Sequence, residues 1–433
     1  MIALALVGCE SVATLSPPVI TPSESVVTVA AAAWDDEVDS PTRVEIAKGD
    51  DPWSETDPQE SGATHTATIL GLYSNQTWTA RVVADNGEFS ERVTFKTEGF
   101  PADFPQWQTT GEPGWEGYLF TSTIGLNAQS LVMDERGRVV WYQAAESPYV
   151  VLRSRERRDG KGVIYAETID GDEAGTPIFR WAAWDGTIER ELEVPDYTHD
   201  FVELADGTLV YLKNDIRSVD GFEGVVWGNS VAELSTDGVE RILWSTWDEW
   251  QPGRDGEVQN NGYWTHSNAI DVSEDESRLT VGFRDLSIII QLDRETGEKL
   301  WQLGGTQTNY LFRNPGDAPY LHHQFEWVGD QLLVFDNRAS PDDSRAVAVA
   351  FDESTKTASL AWEWEHDPSL WCYVLGDIHR REDGSTLVVF TTSGVVDDLD
   401  ADGKIRWELE SRFRTAISYA TEAATLPGMT RLR

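Results

Sequence analysis

From about Gly114 to the end of the chain one unit recurs: a polar turn, usually carrying Asp-Gly or Thr-Gly, followed by an apolar or Trp-bearing run. Its clearest copies are Asp134–Trp141, Trp184–Ile188, Ser235–Val239, Asp293–Trp301 and Asp400–Trp407. A unit of about 50–60 residues with some four short strands cannot bury its apolar face alone. Such units stack radially as the blades of a β-propeller. Roughly 320 residues divided by a period of about 53 give about six blades. No extended helical periodicity interrupts the pattern. The repeat therefore predicts an all-β chain in which residues 114–433 form a six-bladed β-propeller.

The stretch before it has another character. Residues 25–98 hold five short apolar runs between polar turns, at 26–30, 43–47, 66–70, 77–83 and 91–96, which predict a small β-sandwich of fibronectin or immunoglobulin type. The run Ala67–Leu72 followed by Trp78–Ala84 resembles a fibronectin type III domain, with Trp78 at its corner-tyrosine position. His65 just precedes a strand and is expected in a turn or at the surface. Gly99–Pro105 is a Pro-rich hinge. Residues 1–24 read as a signal and a Pro/Ser/Thr linker without a core. Within them, Leu6-Val-Gly-Cys9 after an apolar start resembles a bacterial lipoprotein signal, with Cys9 as the lipidation site. That resemblance implies an exported protein, periplasmic or at the outer membrane or cell surface, that meets a membrane only through its N-terminal lipid.

Charge narrows the function. The chain carries 34 basic and 75 acidic residues, a net of −41, and nucleic acid is excluded as a partner because polyanion binding needs clustered Lys and Arg. With two cysteines, Cys9 and Cys372, there is neither a disulfide framework nor a cysteine metal motif.

The chain has seven histidines, and four recur at one place in the repeat: His199, His266, His323 and His379, spaced by 67, 57 and 56 residues. Each stands shortly before a hydrophobic run, at 208–212, 278–283, 331–335 and 386–390. The first strand of each propeller blade lines the central channel, so equivalent positions in successive blades face one cavity. The spacing predicts that the four rings converge there. Arg284, which closes the 278–283 run, and Asn268, two residues past His266, are expected to join them. Asp336 and Asn337 read as a turn signal. Tyr197, Tyr263, Trp264, Tyr320 and Phe325 flank the histidines and offer aromatic walls, although each alone reads as core packing.

At these residues the chain resembles the bacterial arylsulfate sulfotransferases. The likeness is carried by His266-Ser-Asn268 with Arg284, by His323-Gln-Phe-Glu-Trp327 followed by Leu332–Asn337, and by Thr198-His199-Asp200. It implies that His323 is a nucleophile forming a transient sulfohistidine, and that His199, His266 and Arg284 hold the sulfuryl oxygens and assist proton transfer. Asn268 would be a further substrate-binding residue. The family moves a sulfuryl group from a phenolic sulfate ester to a phenol, with no cofactor and no nucleotide sulfate donor. His322 stands where the family commonly has Gln, and so enters as a second candidate. Adjacent extended residues point to opposite faces, so only one of the two can face the channel, and the Gln-Phe-Glu-Trp continuation favours His323. His379 has no counterpart in the family pattern and stays a substrate-binding candidate on spacing alone. Periplasmic members carry a disulfide near the site that this chain cannot form once Cys9 is lipidated.

The chemistry suits these residue types. A sulfate monoester spreads one charge over three oxygens and is attacked in line at sulfur through a loose transition state, as in phosphoryl transfer. Arg and His neutralise oxygen charge, and a neutral imidazole can both attack and leave. Two other readings fit a histidine ring: a three-histidine zinc or copper site, against which Arg284 counts, and a non-catalytic surface propeller that binds a partner.

Overall fold

The computed structural model describes residues 15–62, 64–125, 127–146, 149–169, 176–339, 343–412 and 415–431. Cys9 and the proposed signal lie outside the described residues. The described chain is almost entirely β-structure, in eight sheets.

Two of the sheets share one apolar core in the N-terminal part. The first orders Val19–Pro22, Ala30–Trp34 and His65–Ile69. The second orders Met429–Arg431, Ser54–Thr56, Thr42–Ala47, Thr77–Ala84 and Val93–Lys96. Strict alternation builds the core: Trp78, Ala80, Val82 and Ala84 point inward from one strand and meet Ala30, Ala32 and Trp34 from the other sheet. Three sequence expectations are corrected here. Val19–Pro22, expected in a coreless linker, pairs with Ala30–Ala33 as an edge strand, and Leu15 joins the core. Val26, Val27 and Val29 are not a strand of this unit, because they pack into the core of the sheet that follows. His65 is buried, stacked on Trp34 and 2.8 Å from the Asp36 carboxylate.

The other six sheets follow one another around an axis: the first strands of the second to sixth pack side by side in chain order, and that of the second also packs on Tyr118–Ile124 of the first. In chain order these inner strands begin at Tyr149 (second sheet), Tyr197 (third), Ser267 (fourth), Phe325 (fifth) and Asp377 (sixth). The first sheet takes its inner strand from the far end of the chain: Ala416–Ile417 and Thr421–Ala423 pair with Tyr118–Ile124. At the opposite seam Trp107–Gly111 adds to the outer edge of the sixth sheet beside Ile405–Ser411. The ring therefore starts at Trp107 rather than residue 114, and both of its ends are stitched. The recurring turns all occupy one place, the hairpin between the third and fourth strands of a sheet. Gly137, Gly186, Gly238, Gly297 and Gly403 sit there at φ between 72° and 90°, a region that glycine enters without a Cβ clash.

A buried polar knot ties the inner strands at the axis. Arg153 of the second sheet bonds Asp200 of the third at two points, 2.8 and 3.1 Å, and reaches Asp377 of the sixth at 3.4 Å and the Ala420 carbonyl of the first at 3.1 Å. Asp200 also accepts from Gln324 Nε2 of the fifth sheet at 2.8 Å and from the Ile270 amide of the fourth at 3.2 Å. Burial alone would raise the Asp200 carboxyl, but Arg153 and Arg155 outweigh it and hold the group below its ordinary value. Arg153 and Asp200 are both essentially inaccessible to solvent. Removing one partner strands the other charge in a dry environment. Asp200→Ala is expected to lower unfolding free energy by roughly 3–5 kcal/mol in equilibrium urea denaturation, whereas Asp293→Ala, in an exposed turn, should change it by less than about 1 kcal/mol.

Candidate functional site

The histidines lie on the inner strands or just ahead of them, and the hydrophobic runs that drew attention in the sequence are the second strands of the same sheets. Local irregularity aims the side chains. The ladder of the third sheet slips between Thr198 and Phe201, leaving His199 and Asp200 as extra residues, and that of the fourth slips between Ser267 and Ala269, at Asn268. Bulges of this kind re-aim side chains that a regular pleat would send elsewhere. His199, His266 and Leu321 adopt left-handed backbone, with φ of 55°, 53° and 55°. Non-glycine residues hold that conformation only where their surroundings impose it.

His199 and His266 meet directly, Nε2 to Nε2 at 3.1 Å. Thr198 Oγ1 lies 2.6 Å from His199 Nδ1, and Asp285 Oδ2 lies 3.7 Å from His266 Nδ1. One proton arrangement suits every partner: the threonine hydroxyl donates to His199 Nδ1, His199 Nε2–H donates to His266 Nε2, and His266 Nδ1–H faces Asp285. The Arg284 amide donates to the His266 carbonyl at 3.0 Å, which fixes the two residues side by side. The Arg284 guanidinium bonds Asp285 at 2.6 Å and the Tyr373 carbonyl at 3.2 Å, while its buried Nε–H has no partner. The His266 and Arg284 side chains are 21% and 17% exposed, so the cluster is open on one face.

His323 completes the group from the fifth sheet. Its Nδ1 is 2.7 Å from Asn337 Oδ1. The Asn337 amide nitrogen donates to the Cys372 and Leu375 carbonyls, each at 2.7 Å, which fixes which end of the amide faces the ring. Oδ1 can only accept, so the His323 proton is on Nδ1, and Nε2 keeps its lone pair. That nitrogen is buried and bonds nothing. Asn337, expected as a turn signal, is thus the residue that sets the His323 tautomer. Asp336 beside it is structural, bonding Arg345 at 2.7 Å and the Tyr320 amide at 2.8 Å.

Electrostatics keeps these imidazoles neutral. Burial, reinforced by His266 and Arg284 and partly opposed by Asp200 and Asp285, pushes His199 down to about 3. Burial and Arg284 bring His266 to about 3. Burial lowers His323 well below its ordinary value; Asn337 opposes this, and Arg284, His266 and His199 reinforce it. Those last three groups are close enough to act on it electrostatically.

Sequence reasoning named two more histidines, whose partners differ from those of this group. His322 is buried with neither ring nitrogen bonded, close to Phe325 and Gly282 of the neighbouring sheet, and burial with Arg284 takes it to about 3. Its carbonyl accepts from Asn268 Nδ2 at 2.7 Å, so Asn268 positions the His322–His323 backbone, while Asn268 Oδ1 stays unbonded. His379 is not in register with the others. Asp200 and Asp377 play the same part, each accepting from the amide of the next residue. His199 precedes its aspartate by one residue, and His379 follows its own by two. His379 instead bonds Glu326 at 3.1 Å and the Ala420 carbonyl at 2.8 Å, and Asp377 and Glu326 overcome burial to raise it well above its ordinary value. Of the flanking aromatics, Tyr197, Trp264 and Phe325 belong to hydrophobic cores and Tyr320 is half exposed. Tyr263 packs on the His266 ring, 5.7 Å between centroids. Among the described residues, the three ring histidines do not gather three ligand atoms as a metal site would.

The model of the arylsulfotransferase (ASST) family matches residues 79–399, and the chain belongs to that family. It is accordingly a sulfotransferase. No curated protein sequence matches it. Among solved structures it is similar to a protein of unknown function from Bacteroides caccae, at 11% identity over 70% of this chain and 98% of that one, with a TM-score of 0.45. It is also similar to a periplasmic gluconolactonase of Pseudomonas aeruginosa, at 12% identity over 72% and 100% of the two chains and a TM-score of 0.42. A third is the β-propeller domain of Myceliophteria thermophila Cps50, at 11% identity over 70% and 88%, with a TM-score of 0.40.

The neutral burial of His322 has a measurable sign. Its folded pKa lies below the unfolded value near 6.5, so the unfolded chain takes up the proton first as pH falls, and stability drops between about 6.5 and 3. From pH 7 to pH 5 wild type is expected to lose roughly 2 kcal/mol more than His322→Gln in urea unfolding. Equal losses would contradict the neutral assignment.

Proposed function

We propose that the protein is an arylsulfate sulfotransferase that works through a sulfohistidine on His323, built on a six-bladed β-propeller with a small β-sandwich before it. The observation that carries this reading is the Asn337-locked tautomer of His323, which leaves an unbonded Nε2 lone pair beside Arg284, His266 and His199.

In the first half-reaction His323 Nε2 attacks sulfur, the N–S bond forms, and the S–O bond to the phenol breaks. Arg284 and the His199–His266 pair face the three sulfuryl oxygens. The bound ester is an anion, and its charge raises the pKa of the histidine pair so that it holds a proton when substrate is present. That proton goes to the departing phenolate. In the second half-reaction the acceptor phenol gives its proton to the same pair. Its oxygen then attacks sulfur, the N–S bond breaks, and His323 is regenerated. Asn337 stabilises the Nδ1–H while positive charge sits on the ring. Neither half needs a nucleotide sulfate donor or a cofactor. The lipoprotein-like start of the chain supports placing the reaction outside the cytoplasm, on a body tethered through Cys9.

Purified protein is expected to release one equivalent of nitrophenol from 4-nitrophenyl sulfate without an acceptor and to turn over continuously only when a phenol acceptor is supplied, and His323→Ala should lower the turnover rate at least about a thousandfold. Intact-mass analysis after brief exposure to the donor should show one added SO3 on the peptide containing His323. An adduct on His322, or transfer that survives His323→Ala, would refute the assignment.

A further inference from the structure

We propose that His366, Asp397 and Glu408 form a divalent-cation site of zinc type in the seam between the fifth and sixth ring sheets. His366 follows the outer strand Thr357–Glu365 of the fifth sheet, and Asp397 and Glu408 lie on neighbouring strands of the sixth. Nothing in the sulfotransferase reading uses these residues.

Four observations converge on the seam. First, Asp397 and Glu408 are direct register partners across their ladder, an arrangement of like charges that destabilises a sheet unless something cationic lies between them. Second, the Asp397 side chain is 0% exposed, yet neither of its oxygens makes a hydrogen bond. A buried carboxylate with no partner is rare enough to require an explanation. Third, His366 Nδ1 is 2.6 Å from the Pro368 carbonyl, which can only accept, so Nδ1 carries a proton and Nε2 is the ring nitrogen left to face the two carboxylates. Nε2 lies 3.4 Å from Glu408 Oε2 and 3.6 Å from Asp397 Oδ2. A cation bound among these three atoms would satisfy all of them. Fourth, the spacing is that of ligands around one ion. Metal–ligand bonds of about 2.1 Å at a tetrahedral angle put ligand atoms roughly 3.4 Å apart, and all three ligand atoms here lie within 4.8 Å of one another.

The surroundings suit such a site. The Trp364 and Phe390 rings flank His366, at 6.0 and 5.8 Å between centroids, and keep the local dielectric low. The Glu408 side chain is 28% exposed, which gives a path from solvent. The Pro368 carbonyl fixes the orientation of the ligating imidazole, as second partners of metal-bound histidines do. Nitrogen with two carboxylate oxygens favours zinc over calcium or magnesium, which take all-oxygen shells. Three protein ligands leave one position to water. The ion would clamp the fifth sheet to the sixth, close to the ring's seam.

The competing account is a protonated His366 that balances the carboxylates without a metal, and the two are separable. Full-length protein is stripped with EDTA and titrated with zinc chloride against a chromophoric chelator, in high salt with excess magnesium to suppress loose binding to the acidic surface. Wild type is expected to take up one zinc tightly and to melt higher when it is bound. Asp397→Asn and Glu408→Gln should each weaken binding at least about a hundredfold and abolish the zinc-dependent rise in Tm. If the buried Asp397 variant does not fold, Glu408→Gln, on a partly exposed side chain, gives the same reading. His323→Ala should bind zinc as wild type does. No tight zinc uptake by wild type, uptake unchanged in Glu408→Gln, or uptake lost in His323→Ala would each overturn the proposal.

Discussion

The two-point contact between Arg153 and Asp200 holds the middle of the ring. A buried ion pair is stable only when its remaining hydrogen-bonding valences are filled, since each desolvated charge is otherwise a large cost. Here Gln324, Asp377, the Ala420 carbonyl and the Ile270 amide fill them, and each comes from a different sheet. The residues that do so are chain neighbours of the site: His199 precedes Asp200, and His323 precedes Gln324. The knot therefore fixes the backbone from which the reactive rings project. A site built on rigid strands over a satisfied polar network is held more firmly than one carried on loops.

The structure sorts its histidines by company. His199 and His266, half-buried, and His323, fully buried, are desolvated under the field of Arg284 and of one another, and stay neutral. His379, a few residues from the same axis, faces two carboxylates and stays charged. Neutral imidazoles with assigned tautomers suit a reaction whose substrate brings its own negative charge. The opposite field, a ring of imidazolium ions, would bind the anion tightly but leave no lone pair to attack it.

Much of this was legible in the chain, for identifiable reasons. Glycine turns, Asp-Gly or Thr-Gly in four sheets and Arg-Gly in the first, mark the same hairpin in five ring sheets because glycine tolerates the left-handed position. The fifth sheet hid its copy, since Lys356 holds that position at φ 52° with no glycine to signal it. His199, His266 and His323 were named from spacing and Arg284 from resemblance, and of these the structure joins His199 to His266 and His266 to Arg284 directly. His379 was placed by spacing alone, and spacing is blind to a slip of three residues about the aspartate that sets the register. Asn337 was read as a turn signal because a buried amide that orients a ring looks in sequence like any strand-ending Asn. The knot was invisible for another reason: Arg153 and Asp377 are more than two hundred residues apart, and a lone Arg in an apolar strand carries no pairing signal. The strand at Val19–Pro22 was missed because prolines, serines and threonines suit an edge strand as well as a linker.

The origin of the first sheet's inner strand has a consequence for how the molecule is made. Tyr419 and Ala420 sit at the axis, and Met429–Arg431 pair with the N-terminal part. Synthesis makes these residues after every other strand of the ring. Until they arrive, the first sheet has an open inner edge and Arg153 lacks its carbonyl partner. The incomplete ring then presents unpaired strand edges, the feature that most invites association between chains. Contacts closed over such long separations form slowly. The net charge of −41 acts throughout this interval as mutual repulsion between unfinished molecules. Acidity that plays no evident part in the chemistry thus bears on the interval before the chemistry is possible, while residues 416–431 have yet to close the ring.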